Sequence, residues 1–432
     1  MMDGMSATGR WLLRSFLHFQ GLIKNLFVPE VLVESSCITW ISKFKGKNSL
    51  GKEYFSHRRI KEYWERILSA LLIMVFFLPL NWYWFLLFLP GLFFISIFSD
   101  GGLLVLSWII WSFFSALFSP EFPFVLAEVF WETILILAGF SAGVFSRRKR
   151  RWLRCFLLAS AVIIGLNLLQ AYALPTYPQS WVPATERGAV PLRITGVFKN
   201  PNLNGIYLLF ILPLLLAGWE TQEVDWGEKT KYSSGILFFL CLLSIIFTFS
   251  RTTWIAALVA LLCYWYPDKK ANIIRLFLIV TMIFIVFPPL ADRVLFISYQ
   301  GNTLNYRVQI WKATWELVTK HPWTGVGRES LTFWLAHLPD FPAVHAHNHY
   351  LQIMAEKGVP ALLIMLWIAY RLISNFFRDR DSILISPMEK GIHVALLSQL
   401  VAGFTESIWV SPLPLFLFWF GVALIEGEKR NN

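Results

Sequence analysis

From Pro201 to Trp219 the chain carries no charged side chain, nor does it from Tyr232 to Ser250 or from Thr252 to Pro267. Runs of this kind recur along most of the sequence, at lengths near the roughly 20 residues an α-helix needs to cross the ~30 Å hydrocarbon core of a bilayer. A soluble core cannot absorb so many of them. Of 432 residues 56% are hydrophobic and 15% charged, against about 25% charged in soluble domains, so too little polar surface is left to cover several cores. In lipid every backbone group must be satisfied within the protein, which leaves helices as the natural answer for long unbroken apolar runs. The composition therefore excludes a soluble enzyme and points to an all-α integral membrane protein.

Read on the ruler of a spanning helix, the sequence divides into about twelve spans. Their limits fall near Arg66 to Leu80, Trp82 to Phe98, Leu103 to Phe118, Phe124 to Phe145, Trp152 to Leu174, Asn204 to Trp219, Tyr232 to Phe249, Thr252 to Tyr266, Ala271 to Leu290, Tyr350 to Ile373, Gly391 to Ile408 and Leu413 to Ile425. The first two are short and joined only by Asn81, which leaves one tight hairpin or a re-entrant pair as alternatives. Residues 1–65 read as a basic cytoplasmic tail, with Arg10, Arg14 and Lys24 among Trp11, Leu12, Leu13, Phe16 and Phe19, a pattern suited to lying along an anionic membrane surface. Residues 66–432 read as one polytopic domain. The net charge of the whole chain, +11, is concentrated in the tail, in Arg147 to Arg154 and in the other alternate connections, which by the positive-inside rule puts both termini in the cytoplasm. Topology thus accounts for the basic excess, and no nucleic-acid module accompanies it. Cys37, Cys155, Cys241 and Cys263 lie in or beside apolar runs without CxxC spacing and read as packing residues.

Two outer loops stand out, about 175–203 and 291–349; long loops in a compact bundle are usually functional. Within the second, Tyr306 to Thr319 has a helical rhythm with Val308, Trp311, Trp315 and Val318 on one stripe. The costly polar groups also gather on that side: Glu128 and Glu132 one turn apart, Asn167 and Gln170, and Glu406 near the end of the eleventh span. Between Tyr232 and Tyr266 the chain must cross twice, so the turn at Ser250 and Arg251 sits at or below the outer surface. An arginine there wants an anion, either a neighbouring carboxylate or a ligand phosphate, and Arg193 and Arg307 lie on loops that can reach the same place. His345, His347 and His349 precede the tenth span. Spacing of i, i+2, i+4 without an adjacent carboxylate or thiolate argues against a metal site, whereas a neutral imidazole can take a proton from a hydroxyl; histidines that merely cap a helix are the plain alternative.

Five motifs then occur in order: Gly196-Val-Phe-Lys-Asn-Pro-Asn202, Phe249-Ser-Arg-Thr-Thr-Trp254, Tyr306-Arg-Val-Gln-Ile-Trp311, His321-Pro-Trp-Thr-Gly-Val-Gly327 and His345-Ala-His-Asn348, followed by Glu356 and Gly358. Together they resemble the O-antigen ligase and O-antigen polymerase superfamily of bacterial envelope proteins, including a cyanobacterial branch labelled bicarbonate transporter-like. The resemblance implies a twelve-helix GT-C-like bundle with a helix-bearing periplasmic loop, and a metal-independent, inverting glycosyltransferase without a cofactor. It implies a donor of undecaprenyl-pyrophosphate-linked glycan and an acceptor on glycan, lipid A core or protein, at the outer face of the inner membrane. Arg251, Arg307 and Arg193 would hold the pyrophosphate, His347 or else His345 would accept the proton, and Asn348, Asn200, Asn202 and Glu356 would contact sugars. A small-anion transporter and a non-catalytic envelope scaffold are the competing classes; a transporter calls for polar groups through the full depth of the bilayer.

Overall fold

The computed structural model of the chain describes residues 101–146, 151–173, 193–221, 227–265, 274, 302–336, 343–380 and 386–426, all in the unit that spans Val75–Asn432. The expected tail, the spans near 66–80 and 82–98, all of the span near 271–290 except Ile274, and residues 174–192 of the first outer loop lie outside the described residues. Among the described residues every regular element is helical: α1 Gly102–Leu117, α2 Phe122–Ser146, α3 Arg151–Tyr172, α4 Pro201–Glu220, α5 Gly227–Phe247, α6 Arg251–Trp265, α7 Asn302–Lys320, α8 Leu331–Leu335, α9 His349–Arg380, α10 Pro387–Ala402 and α11 Pro412–Glu426. By length and apolar composition four segments can cross a membrane: Phe122–Val144, Pro201–Glu220, Thr230–Phe247 and His349–Arg378. Shorter apolar helices occupy Gly102–Leu117, Phe156–Tyr172, Arg251–Trp265 and Pro412–Glu426.

α4 is apolar all the way round, and such a helix must be surrounded. It packs against α5, α6, α10 and α11, and Ile206 through Leu212 are all buried. Its start is written locally: Asn200 in an extended conformation accepts hydrogen bonds from the backbone N–H groups of Asn202 and Leu203, and Pro201 takes the first turn, where a missing N–H costs nothing. Close approach is made by small residues, as expected where van der Waals packing drives helix association. Gly139 and Gly143 of α2 lie against the backbone of Phe416 and Phe420 on α11, so a methyl at either would collide with a carbonyl oxygen.

α9 is two helical segments that meet at a kink. Gly358 interrupts it at φ 79°, ψ 175°, with Pro360 just beyond. Non-helical backbone at this depth needs other partners, and the loop from His321 to Gly327 supplies them: Val326 N–H donates to the Ala355 carbonyl at 2.8 Å, Gly327 N–H to Glu356 at 2.8 Å, and Val359 N–H to Pro322 at 2.8 Å. The Trp111 indole N–H takes the Lys357 carbonyl at 2.8 Å. A side chain at Gly358 would drive into the Trp323 carbonyl. The His-Pro-Trp-Thr-Gly-Val-Gly motif is therefore a plug for a broken helix.

Two expectations need correcting. In α7 the buried stripe is Ile310, Thr314, Leu317 and Val318, with Trp311 partly covered, whereas Trp315 is 53% exposed. Its core contacts are α9 and α8, so the helix faces the protein about one position away from the stripe read from aromatic spacing. The eleventh span was expected to run from Gly391 to Ile408, but α10 ends at Ala402. In the run after it Thr405 pairs with Thr252 of α6, Glu406 meets His345 and His347, and Ser407 donates to Gln352 of α9, while Ile408–Val410 forms a separate 3-10 turn.

Candidate functional site

The residues before α9 are pinned from both sides. The Ala346 N–H donates to Gln352 Oε1 at 2.8 Å, the Trp311 indole donates to the Ala346 carbonyl at 3.0 Å, and Asn348 Oδ1 accepts from the Leu351 N–H at 3.0 Å. Between these anchors His347 adopts a left-handed φ of 48°, a conformation that a non-glycine residue keeps only when its surroundings over-determine it. The consequence is that both imidazoles turn to one point. His347 Nδ1 lies 3.0 Å and His345 Nε2 3.1 Å from the same oxygen, Glu406 Oε1, with the two rings 4.2 Å apart.

Glu406 is the hub. Its other oxygen accepts from Asn202 Nδ2 at 2.7 Å and lies 3.9 Å from the Arg307 guanidinium. Burial opposes its charge, but the facing His347 and His345 outweigh that and hold its carboxyl well below the usual range, so it is a carboxylate. A carboxylate only accepts, which makes His347 Nδ1 the donor and Nε2 the basic nitrogen. Burial lowers the His347 pKa despite the upward pull of Glu406, so this imidazole is neutral at pH 7. A neutral imidazole oriented by a carboxylate at its other nitrogen is the arrangement a general base requires.

The other expected residues fall around this hub to different degrees. Arg307, on α7, donates to the Thr405 carbonyl at 2.9 Å. Arg193 donates to Asn202 Oδ1 at 3.1 Å and to the Thr248 carbonyl at 3.1 Å, so Asn202 bridges it to Glu406. Arg251 opens α6 next to Thr252, whose hydroxyl pairs with that of Thr405 at 2.7 Å. Asn348 donates to the Phe404 carbonyl at 3.1 Å, and Asn200 serves as the cap of α4. Glu356 lies elsewhere. It is buried inside α9 and accepts from Gln352 Nε2 at 2.6 Å, while Gln352 Oε1 accepts from Ser407 Oγ and the Ala346 N–H.

Glu406 itself was visible in the sequence as an ionisable residue in an apolar run, but nothing local linked it to histidines 59 and 61 positions away. It also supplies the carboxylate that the histidine spacing lacked. Ligand atoms of His345, His347 and Glu406 lie within 4.8 Å of one another, a donor set that could hold a cation.

Residues 236–366 match the family model described as O-antigen ligase. The likeness to the O-antigen ligase superfamily is thereby shown. The matched stretch carries Arg251, Arg307, His345, His347 and Asn348, whereas Arg193, Asn202 and Glu406, which complete the hydrogen-bonded cluster, lie outside it. Over that stretch the chain resembles the O-antigen ligase family, and four of its described helices are long and apolar enough to cross a membrane. No curated protein matches the chain.

Proposed function

We propose that the chain is a GT-C-like membrane glycosyltransferase of about twelve spans, of the O-antigen ligase or polymerase type, working at the periplasmic face of the inner membrane with both termini in the cytoplasm. It transfers a glycan from an undecaprenyl-pyrophosphate donor to a hydroxyl of a glycan, lipid A core or protein acceptor. The observation that carries this reading is the convergence on Glu406 of a neutral His347 and two guanidinium groups, Arg307 directly and Arg193 through Asn202.

In the proposed step His347 Nε2 takes the acceptor hydroxyl proton while that oxygen forms a bond to the anomeric carbon from the face opposite the leaving group. The bond from that carbon to the pyrophosphate oxygen breaks, and its electron pair leaves with undecaprenyl pyrophosphate. Configuration inverts. Arg307, Arg193 and Arg251 stabilise the charge growing on the leaving group, the largest electrostatic lever available to such a site. Glu406 keeps His347 in the productive tautomer and balances the imidazolium that forms.

The test is release of undecaprenyl pyrophosphate by the purified full chain in nanodiscs, given a lipid-linked oligosaccharide and a sugar acceptor. Release should depend on the acceptor and be lost in His347→Ala. Absence of release, together with bicarbonate flux in proteoliposomes, would favour the small-anion transporter. A second reading, with a divalent cation on His345, His347 and Glu406, is motivated by their donor spacing; exhaustive chelation would then abolish release, whereas the metal-independent reading expects no change.

A further inference from the structure

Beside Trp409 lies a second polar group with a different makeup. A cavity of about 280 Å³ is walled by Glu128, Trp131, Glu132, Arg328, Glu329 and Trp409, with aliphatic side chains of α2 and α11 closing it. A recess of about 10 Å³, room for about one water, shares Arg328, Glu329 and Trp409 with it and adds His349. Three buried nitrogens on these walls have no hydrogen-bond partner among the described residues: Trp409 Nε1, His349 Nε2 and Arg328 Nε. Trp409 and His349 are each only 2% exposed. A buried donor left unpaired costs about 1–3 kcal/mol, so a polar occupant is called for.

The walls select its chemistry. Three carboxylates against one guanidinium disfavour an anion such as phosphate. Indole and guanidinium N–H groups can only donate, so they cannot ligate a bare metal ion. A neutral polyhydroxyl compound satisfies both sets, since each hydroxyl donates to a carboxylate and accepts from an N–H. Glu132 is held in place by Lys357 at 2.5 Å and by the Trp108 indole at 3.2 Å, and Arg328 by the Trp409 carbonyl at 2.9 Å, so their positions are fixed in advance of binding. The Trp409 ring is already packed by Trp108, His349 and Phe418; Trp131, half-buried on α2, supplies the apolar wall against which the carbon face of a sugar ring can stack.

We propose that this cavity is a carbohydrate subsite that holds a sugar unit of the acceptor glycan. It rests on the glycosyl-transfer reading for the word acceptor, because the arginines around Glu406 suit the pyrophosphate end of the donor. The recess, with room for about one water, lets a bridging water reach His349.

The test is saturation-transfer NMR on the full chain in nanodiscs with methyl glycosides of glucose, galactose, N-acetylglucosamine and rhamnose and their disaccharides, titrated to tens of millimolar. At least one should bind, about tenfold or more weakly in Trp131→Ala and in Glu329→Gln, and as in the wild type in His347→Ala. The same saccharide should raise the thermal midpoint of the wild type and not of the two pocket variants, which separates lost binding from lost folding. No saccharide bound, or binding indifferent to both substitutions, overturns the proposal. Failure of undecaprenyl pyrophosphate release alongside saccharide binding that needs Trp131 and Glu329 would sink the transfer reading and leave the subsite standing; release with saccharide binding that ignores both residues would do the reverse.

Discussion

Glu406 and Glu132 are both buried carboxylates, and both face positive or ionisable partners, but they keep different company. Glu132 is paired with Lys357 and approached by Arg328 at 3.6 Å, and its side chain and that of Lys357 are almost wholly buried. Glu406 is met by two imidazoles and by Arg307, which is 22% exposed. The first arrangement fixes helices, because α2 and the break in α9 are tied by a charge pair that neither can leave without stranding the other. The second leaves a proton free to move. A buried ion pair holds a scaffold in place, whereas an imidazole beside solvent is placed for proton transfer.

The comparison can be broken by substitution. The largest effect is expected for His347→Ala, which should lower lipid pyrophosphate release about 10³-fold, within the range for a lost general base, while the purified protein keeps its wild-type thermal midpoint. Glu132→Ala should do the opposite kind of damage, destabilising by about 3–5 kcal/mol because Lys357 is left buried and unpaired; pairing it with Lys357→Met should recover most of the loss in a detergent unfolding assay. Should the double variant unfold as readily as the single one, the charge pair is not what ties α2 to α9.

Glu406→Gln sharpens the contrast further. Loss of its charge removes the upward pull on His347, so the imidazole pKa falls further below its ordinary value and the acid limb of the pH–rate profile moves to lower pH. The sign in the wild type follows from the same direction: His347 works unprotonated, so turnover rises as pH climbs through a pKa below 6.5 and is level at neutral pH. An acid limb centred above pH 7 would contradict the base assignment. The smallest effect belongs to Trp315→Ser, on the exposed face of α7, expected within about 0.5 kcal/mol of wild-type stability, against about 2–4 kcal/mol for Ile310→Ala on the buried face.

Much of the scaffold was legible because lipid leaves so few options: the expected spans over Leu103 to Phe118, Phe124 to Phe145, Asn204 to Trp219 and Tyr232 to Phe249 each coincide with a helix. The turn at Ser250 and Arg251 came from length alone. What the sequence hid is long-range. Asn202 and Glu406 meet across 204 positions, and Glu132 and Lys357 across 225, distances over which no periodicity reports. The break at Gly358 was spelled out by Lys357-Gly-Val-Pro360, yet the apolar run on either side masks it. Trp315 misled for a related reason, since a bulky aromatic at helical spacing resembles core whether it faces protein or the membrane boundary.

The plug that fills the broken helix also sets a rule for engineering. Residues 321–327 share backbone bonds with both halves of α9, so this part of the loop and the helix form one inherited unit, and a chimera that exchanges the loop alone should misfold. Among the described residues, the backbone of residues 328–336 is bonded to that unit through the Ser330 N–H and the Gly327 carbonyl, while Arg328 reaches the Trp409 carbonyl outside it. Leu331 and Leu335 are held by the core and Arg328 by that carbonyl, whereas Glu329, Thr332, Phe333 and Trp334 are less buried than the two leucines, so under the proposed sugar subsite it is these positions that can vary without disturbing the broken helix.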